Sequence, residues 1–177
     1  AGLVSQDGYE LIYEETLKSA GGNGAEPRPN YVFSVSLGLA LAIIAFVLLW
    51  FSQKPAVLRT YRIYSFAVDL VLGIFGSVLF FMMFFTNHNV TWYNENLLFV
   101  NPLLLVVAIK SLGIKDASSD KAKRLSLWYK VLLGIMAVLA VLKVVIPGVF
   151  LQENWTVIIA MAPYYSVNAF LLGRKHR

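Results

Sequence analysis

The stretch Tyr31–Phe51, YVFSVSLGLALAIIAFVLLWF, contains no charged residue. A helix of about 20 residues rises roughly 30 Å, the thickness of the hydrocarbon core of a bilayer. Its apolar residues are continuous rather than alternating, which favours a helix over a barrel strand. Four further apolar runs follow: Ile63–Phe85, Leu97–Leu112, Trp128–Phe150 and Trp155–Leu172. The third is the shortest, just below the roughly 17 residues that a span requires. The expected fold class is therefore all-α: a polytopic membrane protein whose five-transmembrane-helix bundle covers residues 31–172.

Composition points the same way. The chain is 58% hydrophobic and 14% charged, against about 45–50% and about 25% for a soluble domain. A net charge of +5 in a soluble chain would raise nucleic-acid binding. Here the basic residues lie in short runs between apolar segments, which is a topology signal, and no nucleic-acid partner is expected. The sequence has no cysteine, which excludes disulfides, thiolate metal sites and a cysteine nucleophile within it.

Lysine and arginine set the expected orientation. Lys54, Arg59 and Arg62 lie between runs one and two. Lys110, Lys115, Lys121, Lys123, Arg124 and Lys130 lie at or between the ends of runs three and four, and Arg174, Lys175 and Arg177 follow run five. Five alternating helices put all three groups on one side. The opposite loops, Thr86–Asn96 and Leu151–Asn154, hold no lysine or arginine. Basic loops stay in the cytoplasm, so the N-terminus is expected outside it, and the basic tail 173–177 inside. Trp92, Tyr93 and Trp155 at one boundary, and Trp128 and Tyr129 at the other, suit an aromatic belt.

Residues 1–30 differ in kind. Ser5–Ser19 reads as a short amphipathic helix, with Ser5 as N-cap and Asp7 and Glu10 near the positive end of its dipole. Gly21-Gly22-Asn23-Gly24 stops it, and Glu26-Pro27-Arg28-Pro29 is linker material. The chain opens on Ala1-Gly2-Leu3-Val4 without an initiator methionine or cleavable leader pattern. We expect a piece of a longer protein, with 1–30 joining the helices to an external domain.

Polar groups inside apolar runs are expensive and so informative. Asp69 lies about six residues into run two from the basic side, roughly 9 Å, and Lys143 about fifteen residues into run four, roughly 22 Å. That difference forbids a pair between them. Asp69 is closer in depth to Asn168, Lys130 and Lys110, which favours a structural tie among helix ends. Lys143 can snorkel to the far face, where Asn101 has a compatible depth. The loop Thr86-Asn87-His88-Asn89-Val90-Thr91-Trp92-Tyr93-Asn94-Glu95-Asn96 packs asparagines, a histidine and two aromatics together. His88 has an unperturbed pKa suited to general acid or base work. The plainer alternative is that these asparagines and the histidine cap helix ends.

Other motifs are missing or weak. No phosphate loop, metal-ligand spacing or serine elbow is present, and no cofactor or metal is expected. Asn89-Val90-Thr91 and Asn154-Trp155-Thr156 match the glycosylation pattern, which is common by chance. Gly73, Gly76 and Gly134 suit close helix contacts, and Pro147 and Pro163 suit kinks. The buried charges are too scattered in depth to trace a transport pathway.

The stretch from Phe84 to Leu103 carries a resemblance: His88 after helix two, then Asn94 and Asn96, then an apolar run into Asn101-Pro102-Leu103. It resembles the C-terminal transmembrane domain of the Lnb-like lipoprotein N-acyltransferases of Bacteroides and related bacteria. The five-helix layout from Tyr31 to Leu172 is similar too, and residues 3–17 resemble the tail of the periplasmic domain. The resemblance implies a bacterial inner-membrane protein that moves an acyl chain from phospholipid to the N-terminal amine of a diacylated lipoprotein. It implies a cysteine nucleophile on the periplasmic domain of the same protein, so none is assigned here. The expected partners are membrane lipids, the lipoprotein and that domain. His88 is then the catalytic candidate, with Asn94, Glu95, Asn96, Asn101 and Lys143 as substrate-binding candidates on the outer face. The alternative function is a non-catalytic anchor or assembly module of a periplasmic protein.

Overall fold

The computed structural model describes residues 29–86, 94–146 and 154–174. The chain divides into two units, Ala1–Asn30 and Tyr31–Arg177. The amphipathic helix expected over Ser5–Ser19 and the linker after it up to Arg28 lie outside the described residues, as do His88 and Pro147.

The second unit is built of helices. They are α1 (Tyr31–Trp50), α2 (Pro55–Phe85), a 3-10 turn (Glu95–Leu98), α3 (Leu103–Leu112), α4 (Asp120–Val145) and α5 (Trp155–Leu171). With the turn counted into the third span, four segments of 18 residues or more are apolar enough to cross a membrane, and the 17-residue α5 makes a fifth. Large apolar side chains such as Val32, Phe33, Val71, Phe75, Val144 and Phe170 stand exposed around the bundle. Water would penalise that surface, and lipid does not. The protein is a multi-pass membrane protein with a five-helix bundle.

Three boundaries differ from the sequence expectation, each for a local reason. Run two was expected from Ile63, but α2 begins at Pro55. Proline at the first helical position loses no hydrogen bond, and hydropathy sees only the lipid-buried part. Run three was expected as one helix over Leu97–Leu112. It is instead a 3-10 turn and a ten-residue helix, separated at Asn101-Pro102. Proline lacks a donor and disfavours α geometry in the residue before it. Asn101 repairs the start of α3 by accepting from the Leu103 N–H at 3.0 Å. Run four was expected over Trp128–Phe150, but α4 runs from Asp120 to Val145. Ser119 caps it through the Ala122 N–H at 3.3 Å, and it stops one residue before the position that precedes Pro147. Pro163 lies inside α5, which continues as helix through it.

Small residues set the helix contacts. The buried face of α1 is Ser34, Gly38, Ala42, Ala45 and Leu49. A Cβ on Gly38 would sit 2.8 Å from the Ile159 carbonyl oxygen and 2.9 Å from that of Ala160 on α5. The buried face of α2 steps in fours through Tyr61, Ser65, Asp69 and Gly73, then Gly76. A Cβ on Gly73 would meet the Leu105 backbone nitrogen at 2.7 Å, and one on Gly76 the Asn101 backbone at 2.6 Å. Thus α1 packs on α5 and α2 on α3 with backbones nearly touching, as small-residue stripes permit in lipid. The third expected contact glycine is otherwise: a Cβ on Gly134 would meet nothing within 4 Å.

At one end of the bundle the basic segments are tied together. The Arg62 guanidinium donates to the Leu112 carbonyl, and the Ser111 hydroxyl donates to the Arg62 carbonyl at 3.4 Å. Gly173, at φ 84°, donates its N–H to the Ala117 carbonyl at 2.8 Å and packs on Lys123. A left-handed φ of that size favours glycine.

Gly76→Ala is expected to cost about 1–3 kcal/mol, because its methyl group meets backbone rather than a movable side chain. Gly134→Ala is expected to be neutral or slightly stabilising. Thermal unfolding of the two variants in matched detergent tests the contrast.

Candidate functional site

The end of the bundle away from the basic ties holds a second polar group. The 3-10 turn starts at Glu95, Lys143 sits in the last turn of α4, and Asn154 precedes α5. The Lys143 ammonium lies 2.7 Å from a Glu95 carboxylate oxygen, with their side chains 5% and 11% exposed. Asn154, fully buried, donates its amide to the same oxygen at 3.1 Å. Three elements that are far apart in sequence therefore meet on one carboxylate. Lys143 also sits where the helix dipole favours a cation.

The neighbouring asparagines build the turn. The Asn94 side chain caps it by accepting from the Asn96 N–H at 3.1 Å. The Asn96 carbonyl accepts from the Val100 N–H at 2.7 Å. Just below, the buried Tyr165 hydroxyl of α5 donates to the Phe99 carbonyl at 2.9 Å. The side-chain carbonyl oxygens of Asn96 and Asn154 are buried and meet no donor. An unmet buried acceptor costs about 1–3 kcal/mol, so both are suited to a ligand that brings N–H or O–H groups.

An apolar cavity of about 390 Å³ lies beneath this group. It is lined by Leu98, Val131, Gly134, Ile135, Val138, Leu139 and Leu142. Leu98 ends the turn that Glu95 begins, and Leu142 is next to Lys143. The missing side chain at Gly134 keeps this strip of α4 open.

Of the candidates read from sequence, Glu95 and Lys143 are brought together, and Asn94 and Asn96 sit in the same turn. Lys143 does not snorkel: it is buried and paired. Its partner is Glu95 rather than Asn101, whose side chain is spent on α3. His88 lies outside the described residues. Asn154 was not expected here. Its burial also leaves no accessible side chain for glycosylation. The signal available for it was positional: an asparagine stands just before an apolar run in both lysine-free loops.

Asp69 belongs to a separate buried group in the middle of the bundle. Its carboxylate accepts from the hydroxyls of Tyr129 at 2.5 Å, Ser65 at 3.2 Å and Tyr164 at 3.3 Å. Close by, the Tyr61 hydroxyl donates to the Asn168 side-chain oxygen at 2.5 Å, and Asn168 donates to the Tyr164 carbonyl at 2.9 Å. The expected tie to Asn168 is thus indirect. Among the described residues neither Lys130 nor Lys110 forms an ion pair with Asp69. Tyrosine hydroxyls take the place of a cation, since each brings a donor at far lower desolvation cost than an ammonium. The group joins α2, α4 and α5 and has no unmet side-chain atom.

Taken together, these features define a polytopic membrane domain with a tied basic end and a buried polar cluster above an apolar recess at the other. A family model described as the Lnb transmembrane domain matches residues 28–175, and the chain belongs to that family. The match covers the loop, the broken third span and every candidate residue, and it bears out the resemblance read from the sequence. Comparison with curated proteins gave no match, and neither did comparison with solved structures.

Glu95→Gln or Lys143→Met alone is expected to destabilise the domain by about 3–5 kcal/mol, because each leaves a buried charge without its partner. The double variant is expected to cost less than the sum of the two. A double-mutant cycle on unfolding in detergent checks it, and strict additivity would show that the pair does not act as a unit.

Proposed function

We propose that this domain is the membrane part of a lipoprotein N-acyltransferase. In this reading the phospholipid donor and the lipoprotein acceptor are held beneath a periplasmic catalytic domain. The N-terminus faces the periplasm, and the basic end faces the cytoplasm across a bacterial inner membrane. The observation that carries the reading is the Glu95–Lys143–Asn154 cluster set over an apolar recess in an Lnb transmembrane domain.

The chemistry asks for such a place. An acyl carbonyl leaves the glycerol oxygen of a phospholipid and ends as an amide on the α-amine of the acceptor. One amine proton ends on the glycerol hydroxyl that is left. In this reading the intermediate acyl carrier is the cysteine that the family resemblance implies on the periplasmic domain, since this sequence itself has none. The recess suits an acyl chain. The unmet oxygens of Asn96 and Asn154 suit the hydrogens of an amine. Lys143 holds the Glu95 carboxylate, which in turn positions the Asn154 amide. His88, in the adjoining loop, is the candidate to move the amine proton. Asn94 and Asn101 serve by holding the turn and the start of α3.

Lipoprotein N-acylation by the full-length protein tests this. His88→Ala is expected to slow acylation about 100-fold or more at unchanged abundance, the range of a lost general acid or base. Asn154→Ala is expected to raise the acceptor concentration needed for half-maximal rate. Wild-type rates in both variants would remove these residues from the mechanism. Full activity after exchange of the five helices for an unrelated anchor of the same topology would favour the anchor function instead.

A further inference from the structure

The basic end of the bundle carries a second cavity, larger than the recess under Glu95 and at the opposite end of α4. Its volume is about 690 Å³, and it lies between the last turn of α3 and the first half of α4. The walls are apolar: Ile109, Leu125, Leu127 and Val131. Lys110, Lys121 and Arg124 also line it, together with the indole of Trp128.

Positive-inside bias places lysines near a membrane face, but it does not make them converge on one hollow. Lys110 comes from α3, and Lys121 and Arg124 come from α4, three residues apart and so on one helical face. None of the three forms an ion pair among the described residues. The nearby Asp120 is engaged by Lys123 at 2.8 Å instead. Three cations without an ion pair of their own among the described residues therefore border an apolar hollow. Trp128 lies in the same wall, two turns along α4 from Lys121.

The dimensions suit one leaflet. From Lys121 to Val131 the helix rises roughly 15 Å, half of the ~30 Å hydrocarbon core. A molecule that filled this space would need an anionic head at the rim and a hydrocarbon chain that ends near the bilayer centre. A soluble phosphate would leave the apolar walls bare. A neutral lipid would leave three cations unmet.

We propose that the cavity between α3 and α4 binds an anionic phospholipid of the leaflet on the basic side. Its phosphate lies among Lys110, Lys121 and Arg124, and one acyl chain lies against Ile109, Leu127 and Val131. The site is independent of acyl transfer: it sits at the other end of the bundle and shares with the recess only Val131. Its occupant adds a lipid contact to the short connection that already joins α3 to α4 at this end.

Quenching of Trp128 fluorescence by brominated lipids tests the proposal. The chain is reconstituted in phosphatidylcholine vesicles containing brominated phosphatidylglycerol or brominated phosphatidylcholine as a minor component. Subtracting a Trp128→Phe variant isolates the signal. Relative association of the anionic lipid is expected to exceed that of the neutral one by about tenfold or more, as several clustered basic residues allow. The preference is expected to vanish in Lys110→Gln/Lys121→Gln/Arg124→Gln. It is expected to persist in Lys54→Gln/Arg59→Gln/Lys130→Gln, which removes the same charge elsewhere on this face. Equal association of both lipids with the wild type, or equal losses in the two triple variants, would overturn the site. Should the first triple variant fail to insert, the single variants Lys110→Gln and Arg124→Gln must each lower the preference severalfold, and an unchanged preference in both would overturn it as well.

Discussion

The hydrocarbon core of a bilayer offers no hydrogen-bond partner, and that constraint shapes every other feature of the bundle. Backbone groups must be met within the protein, so the spans are helices. Polar side chains inside the spans must be met there too. They are gathered into groups, one closed around the Asp69 carboxylate and one that pairs Glu95 with Lys143. The apolar side chains face outward without penalty. Apolar burial therefore supplies little of the force between helices, and close packing supplies more. This is why α1 presents serine, glycine and alanine to α5, and why α2 presents two glycines to the third span.

The two ends of the bundle differ in chemistry. At the basic end, hydrogen bonds to backbone carbonyls lock the connecting segments, and three cations that form no ion pair among the described residues face an apolar hollow. At the other end the charges are matched within the protein, while two amide oxygens are left without donors. One end has an excess of positive charge, and the other has unmet acceptors. An anionic lipid head suits the first. The hydrogens of an amine suit the second. A strip of α4 that includes Val131 and the bare position at Gly134 runs between them.

Much of the candidate site was legible in the sequence. The loop Thr86–Asn96 stood out because it is polar yet almost uncharged, and Lys143 stood out because a lysine in an apolar run is costly. Depth counting along the helices separated Lys143 from Asp69, and the two do belong to different groups. The partners were not legible. Depth counting gives height in the membrane but no angle around the bundle axis, so Glu95 and Asn101 could not be told apart as partners for Lys143. For the same reason the cage of Ser65, Tyr129 and Tyr164 around Asp69 was not foreseen. Tyrosine reads as an apolar or boundary residue until its hydroxyl has a destination.

By itself, the sequence determined what depends on local composition and chain direction. That covers helices instead of strands, five spans, and the segregation of basic residues to alternate loops. These follow from one-dimensional quantities: run length against bilayer thickness, and charge between runs. The Asn101-Pro102 break also has a local cause, since proline acts on its own neighbours, but run three was expected as one helix and the break emerged only in the structure. Only the tertiary structure decided which helix faces which, and hence that Glu95, Lys143 and Asn154 share one carboxylate oxygen and that Lys110, Lys121 and Arg124 border one cavity. Those groupings depend on rotation about helix axes. Packing of small-residue stripes sets that rotation, and no single segment contains the information.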